Sequence, residues 1–135
     1  MPKKIAYLLS IVLMTLSAHA HSNSNSAEAA ALAWLEAIDN GLYEKAWESS
    51  SPLLQIPLSP SMLERTIGAA RRDFGPVESR QRLRVTSERS MPGAPYGDYM
   101  IFTFQTRFAN NARRIETVTP HLDGDYWRVS GYYVQ

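Results

Sequence analysis

Residues 100–119 read MIFTFQTRFANNARRIETVT, and the period of this stretch decides the fold. Met100, Phe102, Phe104 and Phe108 share one side of an extended chain, while Ile101, Thr103, Gln105 and Arg107 take the other. Alternation of this kind predicts a strand with one buried face. Asn110-Asn111 interrupts it with turn-forming residues, and Ile115 to Thr119 resumes an extended pattern, so the two runs read as a hairpin.

Towards the C-terminus, Asp123-Gly124 gives a stronger hairpin signal. It leads into a last strand from Trp127 to Val134. Adjacent Tyr132 and Tyr133 must point to opposite faces of that strand, which leaves one of them outside the core at a contact surface or a cavity mouth. Before residue 100, Arg82, Arg84 and Thr86 alternate with Leu83 and Val85, predicting the first of four strands.

Further upstream the period changes to 3.6. Ala31, Trp34, Leu35 and Ile38 fall at helical spacing, after a start at Asn25 or Ser26 with Glu28 placed to reach back to the helix end. Asn40-Gly41 stops this helix, because glycine readily takes the left-handed conformation that ends one. A short second helix turns Tyr43, Ala46 and Trp47 inward. Residues 52–59, with two prolines, read as an irregular half-buried crossing. Ser61 and Glu64 form a capping pattern for a third helix through Leu63, Ile67 and Ala70, which Phe74-Gly75-Pro76 ends.

Helices followed by a strand meander predict an α+β domain with its N-terminal helices packed on a curved four-stranded antiparallel sheet. Cystatin-like and nuclear-transport-factor-like cones are the fold analogies.

The first twenty residues read as an address label rather than as structure. Lys3 and Lys4 precede a mostly apolar run from Ile5 to Leu16, and Ala18-His19-Ala20 supplies the small-x-small cleavage pattern. The run is shorter than the roughly 20 apolar residues a membrane span needs. The expectation is a signal peptide over 1–20 cleaved after Ala20, a polar tether over 21–26, and a single domain over 27–135 in the periplasm, with no transmembrane segment after cleavage. Losing Lys3 and Lys4 leaves 12 basic against 13 acidic residues. A nearly neutral domain has no global electrostatic reason to seek nucleic acid. Cysteine is absent, which excludes disulfides, thiol nucleophiles and thiolate metal sites. Stability must come from packing.

Two segments carry a family likeness. One is Ala33-Trp34-Leu35 with Gly41, Tyr43 and Trp47. The other runs from Gly97-Asp98-Tyr99 through Phe108-Ala109-Asn110 and Glu116-Thr117-Val118-Thr119 to Trp127-Arg128-Val129-Ser130-Gly131-Tyr132-Tyr133. Together they resemble the bacterial exported proteins grouped as domain of unknown function 4019. The resemblance implies an envelope protein of Gram-negative bacteria, and it carries over no catalytic residue.

No motif for chemistry stands out. His121 with Asp123 and Asp125 has metal-ligand types, but Asp-Gly is ordinary turn chemistry, so a polar hairpin tip is the expectation. The serines at 49–51 sit in no nucleophile elbow, and no glycine-rich phosphate loop is present. Arg80, Arg82 and Arg84 alternate into a basic stripe that could hold an anionic partner, against the plainer reading of a solvated strand whose charges block aggregation. With Tyr132 and Tyr133 they are the candidate binding residues. Glu116 and Asp98 are the candidate acid–base groups. Glu116, placed mid-strand between neighbours that carry Arg107 and Arg128, is expected to form a structural ion pair with them.

The leading functional expectation is a non-catalytic binding module without cofactor or metal. Its partner would be an envelope protein or a small apolar ligand, and one version is an immunity or inhibitor protein neutralising a secreted toxin or hydrolase. An acid–base isomerase or hydrolase using a pocket carboxylate and a structural or stress-related envelope protein are the alternatives.

Overall fold

The computed structural model describes residues 24–135. The expected signal peptide and residues 21–23 of the expected tether lie outside the described residues. Residues 24–26, assigned by sequence to the tether, are already helical and belong to α1 (residues 24–39). Three further helices follow: α2 (Tyr43–Glu48), α3 (Pro52–Gln55) and α4 (Pro60–Ala70). Four strands complete the chain: β1 (Val77–Glu88), β2 (Tyr99–Phe108), β3 (Asn111–Asp123) and β4 (Tyr126–Val134). They form one open antiparallel sheet in the order β1-β2-β3-β4. The protein is α+β, as its pattern predicts.

The helix boundaries follow local chemistry. Gly41, at φ 73°, closes α1. Residues 52–55, read as irregular, instead form a helical turn, because Pro52 can open a helix and the Ser51 hydroxyl accepts from the Leu53 N–H at 3.2 Å. The cap of α4 is Ser59 rather than Ser61. Its hydroxyl accepts from the Met62 N–H at 3.2 Å, and Pro60 occupies the first helical position.

One face of the sheet carries the core. Ala31, Trp34, Leu35 and Ile38 of α1 meet Met100, Phe102 and Phe104 of β2, with Val118 and Val129 from the next strands. Ala46, Leu54, Leu63 and Ile67 bring α2, α3 and α4 into the same cluster. Ala70, expected on the apolar stripe, is exposed. The Trp34 indole N–H donates to the buried Ser50 hydroxyl at 2.9 Å, fixing α1 to the turn after α2.

Both hairpins occur, each with its two-residue loop one position from the expected pair. Phe108 pairs with Asn111 around Ala109-Asn110, and Asp123 pairs with Tyr126 around Gly124-Asp125. Gly124 takes φ 61°, the conformation such a tight loop requires.

Candidate functional site

Strand parity brings four polar side chains together around the buried Glu116 on the helix-facing side of the sheet. Glu116 of β3 lies opposite Phe104, and Phe104 lies opposite Arg82, so all three face the helices. Arg80 and its partner Thr106 take the same side one step along, as does Tyr132, the partner of Val118. Two helix ends complete the group: Asp39 closes α1, and Arg71 caps α4.

The Glu116 carboxylate has no exposed surface. Its Oε1 accepts from Arg80 Nε at 2.8 Å and from the Thr106 hydroxyl. Its Oε2 accepts from Arg71 Nη2 at 2.8 Å and from the Tyr132 hydroxyl. Asp39 bridges the same two guanidinium groups, taking Arg71 Nη1 and Arg80 Nη1 at 2.8 Å each and Arg80 Nη2 at 3.1 Å. Arg71 Nε donates back to the Tyr132 oxygen at 3.0 Å, and its guanidinium lies 5.3 Å from the centre of the Phe108 ring. Two carboxylates against two arginines leave the group neutral, and planar guanidinium forks suit such paired recognition.

Burial alone would raise the Glu116 carboxyl, but the Arg80 hydrogen bond and charge, with the Thr106 and Tyr132 hydroxyls, hold it below the ordinary glutamate value. Asp39 is likewise held low against its burial by Arg80 and Arg71. The Tyr132 phenol moves upward, through burial and through the Glu116 charge beside it. A general base needs a free lone pair and a pKa near the operating pH. Glu116 has neither, since each oxygen already receives two donors.

The structural role expected for Glu116 therefore has different partners from those expected. Arg107 and Arg128 lie on the opposite face, as the partners of Ser79 and His121. They pair instead with Glu78 at 3.1 Å and Asp123 at 3.6 Å, at exposed or half-exposed positions. The arginine stripe is divided as well. The register slips between Arg82 and Arg84, so Arg80 and Arg82 face the helices while Arg84, opposite Thr103, faces away. Arg82 pairs with Glu28 of α1 at 2.9 Å. Tyr132 is the inward tyrosine and Tyr133 the outward one, 56% exposed. Asp98 lies 3.6 Å from Arg89 at the surface. Among the described residues, no cluster of His, Asp or Glu is placed to hold a metal ion.

Asp39, Arg71 and Thr106 escaped the sequence reading. A carboxylate in the last turn of a helix opposes the macrodipole and so needs a cationic partner, which was a usable signal for Asp39. Thr106 breaks an otherwise apolar face between Phe104 and Phe108, which is another. Arg71 carries no local signal.

A second feature is an open cleft of about 420 Å³ between α1, the start of α2 and the start of β4. Its floor exists because α1 presents the small side chains Ala30, Ala33 and Ala37 there, beside Trp34. Trp127 and the 69% exposed Tyr126 supply its β4 side. The volume is within the range of small-molecule sites.

The class is an α+β domain with a buried glutamate, Glu116, whose charge two arginines meet inside the fold. The chain belongs to the family described as protein of unknown function (DUF4019), whose model matches residues 30–132. No curated protein and no solved structure matches it. No helix among the described residues is long and apolar enough to cross a membrane.

Proposed function

We propose that this protein is a non-catalytic binding module of the periplasm, exported by its N-terminal leader, which receives a small apolar ligand in the cleft between α1, α2 and β4. The saturation of Glu116 carries this reading. The carboxylate best placed for acid–base work has each oxygen filled by a guanidinium and a hydroxyl, and the group as a whole is neutral. Open to solvent instead is a cleft whose aromatic and aliphatic lining, shared with Glu36, Asn40, Lys45, Ser49 and Arg128, can bury apolar surface at about 25 cal/mol per Å².

The test is a fluorescence titration of the chain with the neutral apolar probe N-phenyl-1-naphthylamine. Ala33 lines the cleft and is exposed on α1, so Ala33→Leu fills the site without disturbing the core. Probe binding that Ala33→Leu abolishes supports the proposal. Binding that Ala33→Leu leaves intact refutes the cleft as its site.

A further inference from the structure

Charge is distributed unevenly over this chain. Asp, Glu, Lys and Arg make up 20% of it, yet the segments 49–63, 90–97 and 129–135 contain none of them. The fold brings these three together. The first runs through α3 into α4, the second belongs to the loop between β1 and β2, and the third is the later part of β4. The Tyr99 hydroxyl donates to the Pro95 oxygen at 2.6 Å, which folds the loop back against the sheet. The Ser51 N–H donates to the Val129 oxygen at 2.8 Å, joining the first segment to the third.

Two hollows open on the face so formed. One of about 270 Å³ lies between Leu53, Met91, Ala94, Pro95 and Gly131. The other, of about 180 Å³, lies between Leu53, Pro57, Leu58, Thr66 and Tyr132. Neither has a charged residue in its lining, whereas the cleft of the proposed function includes Glu36, Lys45 and Arg128. Large apolar side chains stand into solvent from the same segments. Ile56 is 84% exposed, and Met62, Tyr96 and Tyr133 are exposed as well. The core of a protein contact is depleted of charge and enriched in aromatic residues and methionine, and this face has that composition.

We infer that this charge-free face is the two-fold contact of a homodimer, in which Ile56 of each protomer enters the smaller hollow of the other. A second copy is selected because the face holds both halves of one fit. Ile56 projects from the chain, and the hollow beside it is walled by its own sequence neighbours Leu53, Pro57 and Leu58. In an isologous contact each patch meets itself, so a knob and a hole that lie side by side are filled together. Charge points the same way. A patch that meets itself sets like charges against each other, and a face with none incurs no such repulsion. The complementary charge by which unlike proteins select each other, and the basic residues that attract an anionic lipid surface, are both missing from these segments. The two hollows share no lining residue with the cleft, so the inference stands apart from the proposed function.

Sedimentation velocity of the exported chain at rising concentration should show a monomer–dimer equilibrium. Ile56→Glu puts a charge at the centre of the contact, and Thr66→Trp fills the hollow from an exposed position on α4. Each should weaken dimerisation by about tenfold or more, as the loss of a central apolar anchor does. Both positions are exposed, so the melting temperature of the dilute monomer should stay that of the wild type. Because the chain has no cysteine, Ile56→Cys and Thr66→Cys each carry a single thiol. A mixture of these two variants should cross-link through a short bismaleimide more than either does alone. Should one variant fail to fold, the other and the cross-linking decide. A chain that stays monomeric, whether free or floating with phosphatidylglycerol vesicles, would overturn the inference. So would a dimer that both folded variants leave intact, or cross-linking no greater in the mixture than in the separate samples.

Discussion

Glu116→Gln is the most informative single change in this molecule. The amide keeps the shape of the carboxylate but offers one acceptor oxygen and one donating nitrogen. Each Glu116 oxygen now receives one guanidinium N–H and one hydroxyl. A hydroxyl can turn and accept from the new NH₂, but a guanidinium has no acceptor to present. Whichever way the amide is placed, Arg71 or Arg80 therefore loses a partner and faces a donor. Both arginine side chains are only 11–12% exposed, so water offsets little of this, and the group passes from neutral to one net positive charge. Breaking a buried pair from one side costs about 3–5 kcal/mol. That is a large part of a typical total stability of roughly 5–15 kcal/mol. Urea unfolding followed by tryptophan fluorescence measures it. At a slope of about 1–3 kcal/mol per molar, the midpoint should fall by about 1 M or more. A loss below about 1 kcal/mol, the range of surface substitutions, would refute the reasoning.

Acid should weaken the same network. Asp39 and Glu116 have folded pKa values below their ordinary 3.8 and 4.5, so their contribution is complete above those values and is lost as the pH falls through the lower folded ones. Stability measured against pH should be level near neutrality and decline below about pH 4.5, and Glu116→Gln should flatten that decline; an equal acid slope in both proteins would contradict this. Trp34→Ala should cost about 3–5 kcal/mol, because the ring is buried, bonded to Ser50 and packed 5.3 Å from Tyr132. Trp127→Ala should cost clearly less, since Trp127 is only partly buried, and urea melts of the two variants should separate them. Intact mass of the exported chain should match a start at His21, and a retained Met1 would count against the leader.

Much of the fold was legible because period and turn chemistry are local. The even-numbered β2 residues, the αL glycine at 41 and the Asp-Gly hairpin each state their role within a few positions. The site was less legible, because its membership depends on register. A bulge after Arg82 sends Arg84 to the other face, and a pattern of alternating arginines contains nothing that marks where alternation breaks. The proposed pairing of Glu116 with Arg107 and Arg128 placed them on the correct neighbouring strands but ignored face. Glu116 faces the helices, whereas both arginines face away. Its true partners come from α4 and β1, 45 and 36 residues distant in sequence, where no turn signal reaches.

That distance also bears on what the network does for the fold. A buried ion pair is weak evidence of net stability, because desolvation offsets much of the attraction. Register is a better account of it here. A one-residue slip reverses every side chain of a strand, and hydrophobic contrast ordinarily forbids the slip. The middle of β3, from Ile115 to Thr119, offers little contrast. Val118 is the single apolar residue it turns to the helices, and a slipped strand would turn Ile115, Thr117 and Thr119 inward instead. What a slip cannot reproduce is Glu116. On the outer face it would abandon Arg71, Arg80, Thr106 and Tyr132, stranding two buried guanidinium groups beside a single Asp39. The penalty falls on the wrong alignment, so the network selects the register that its neighbours' apolar pattern leaves underdetermined. In doing so it fixes which groups of β4 face β3 and which are left open at the edge.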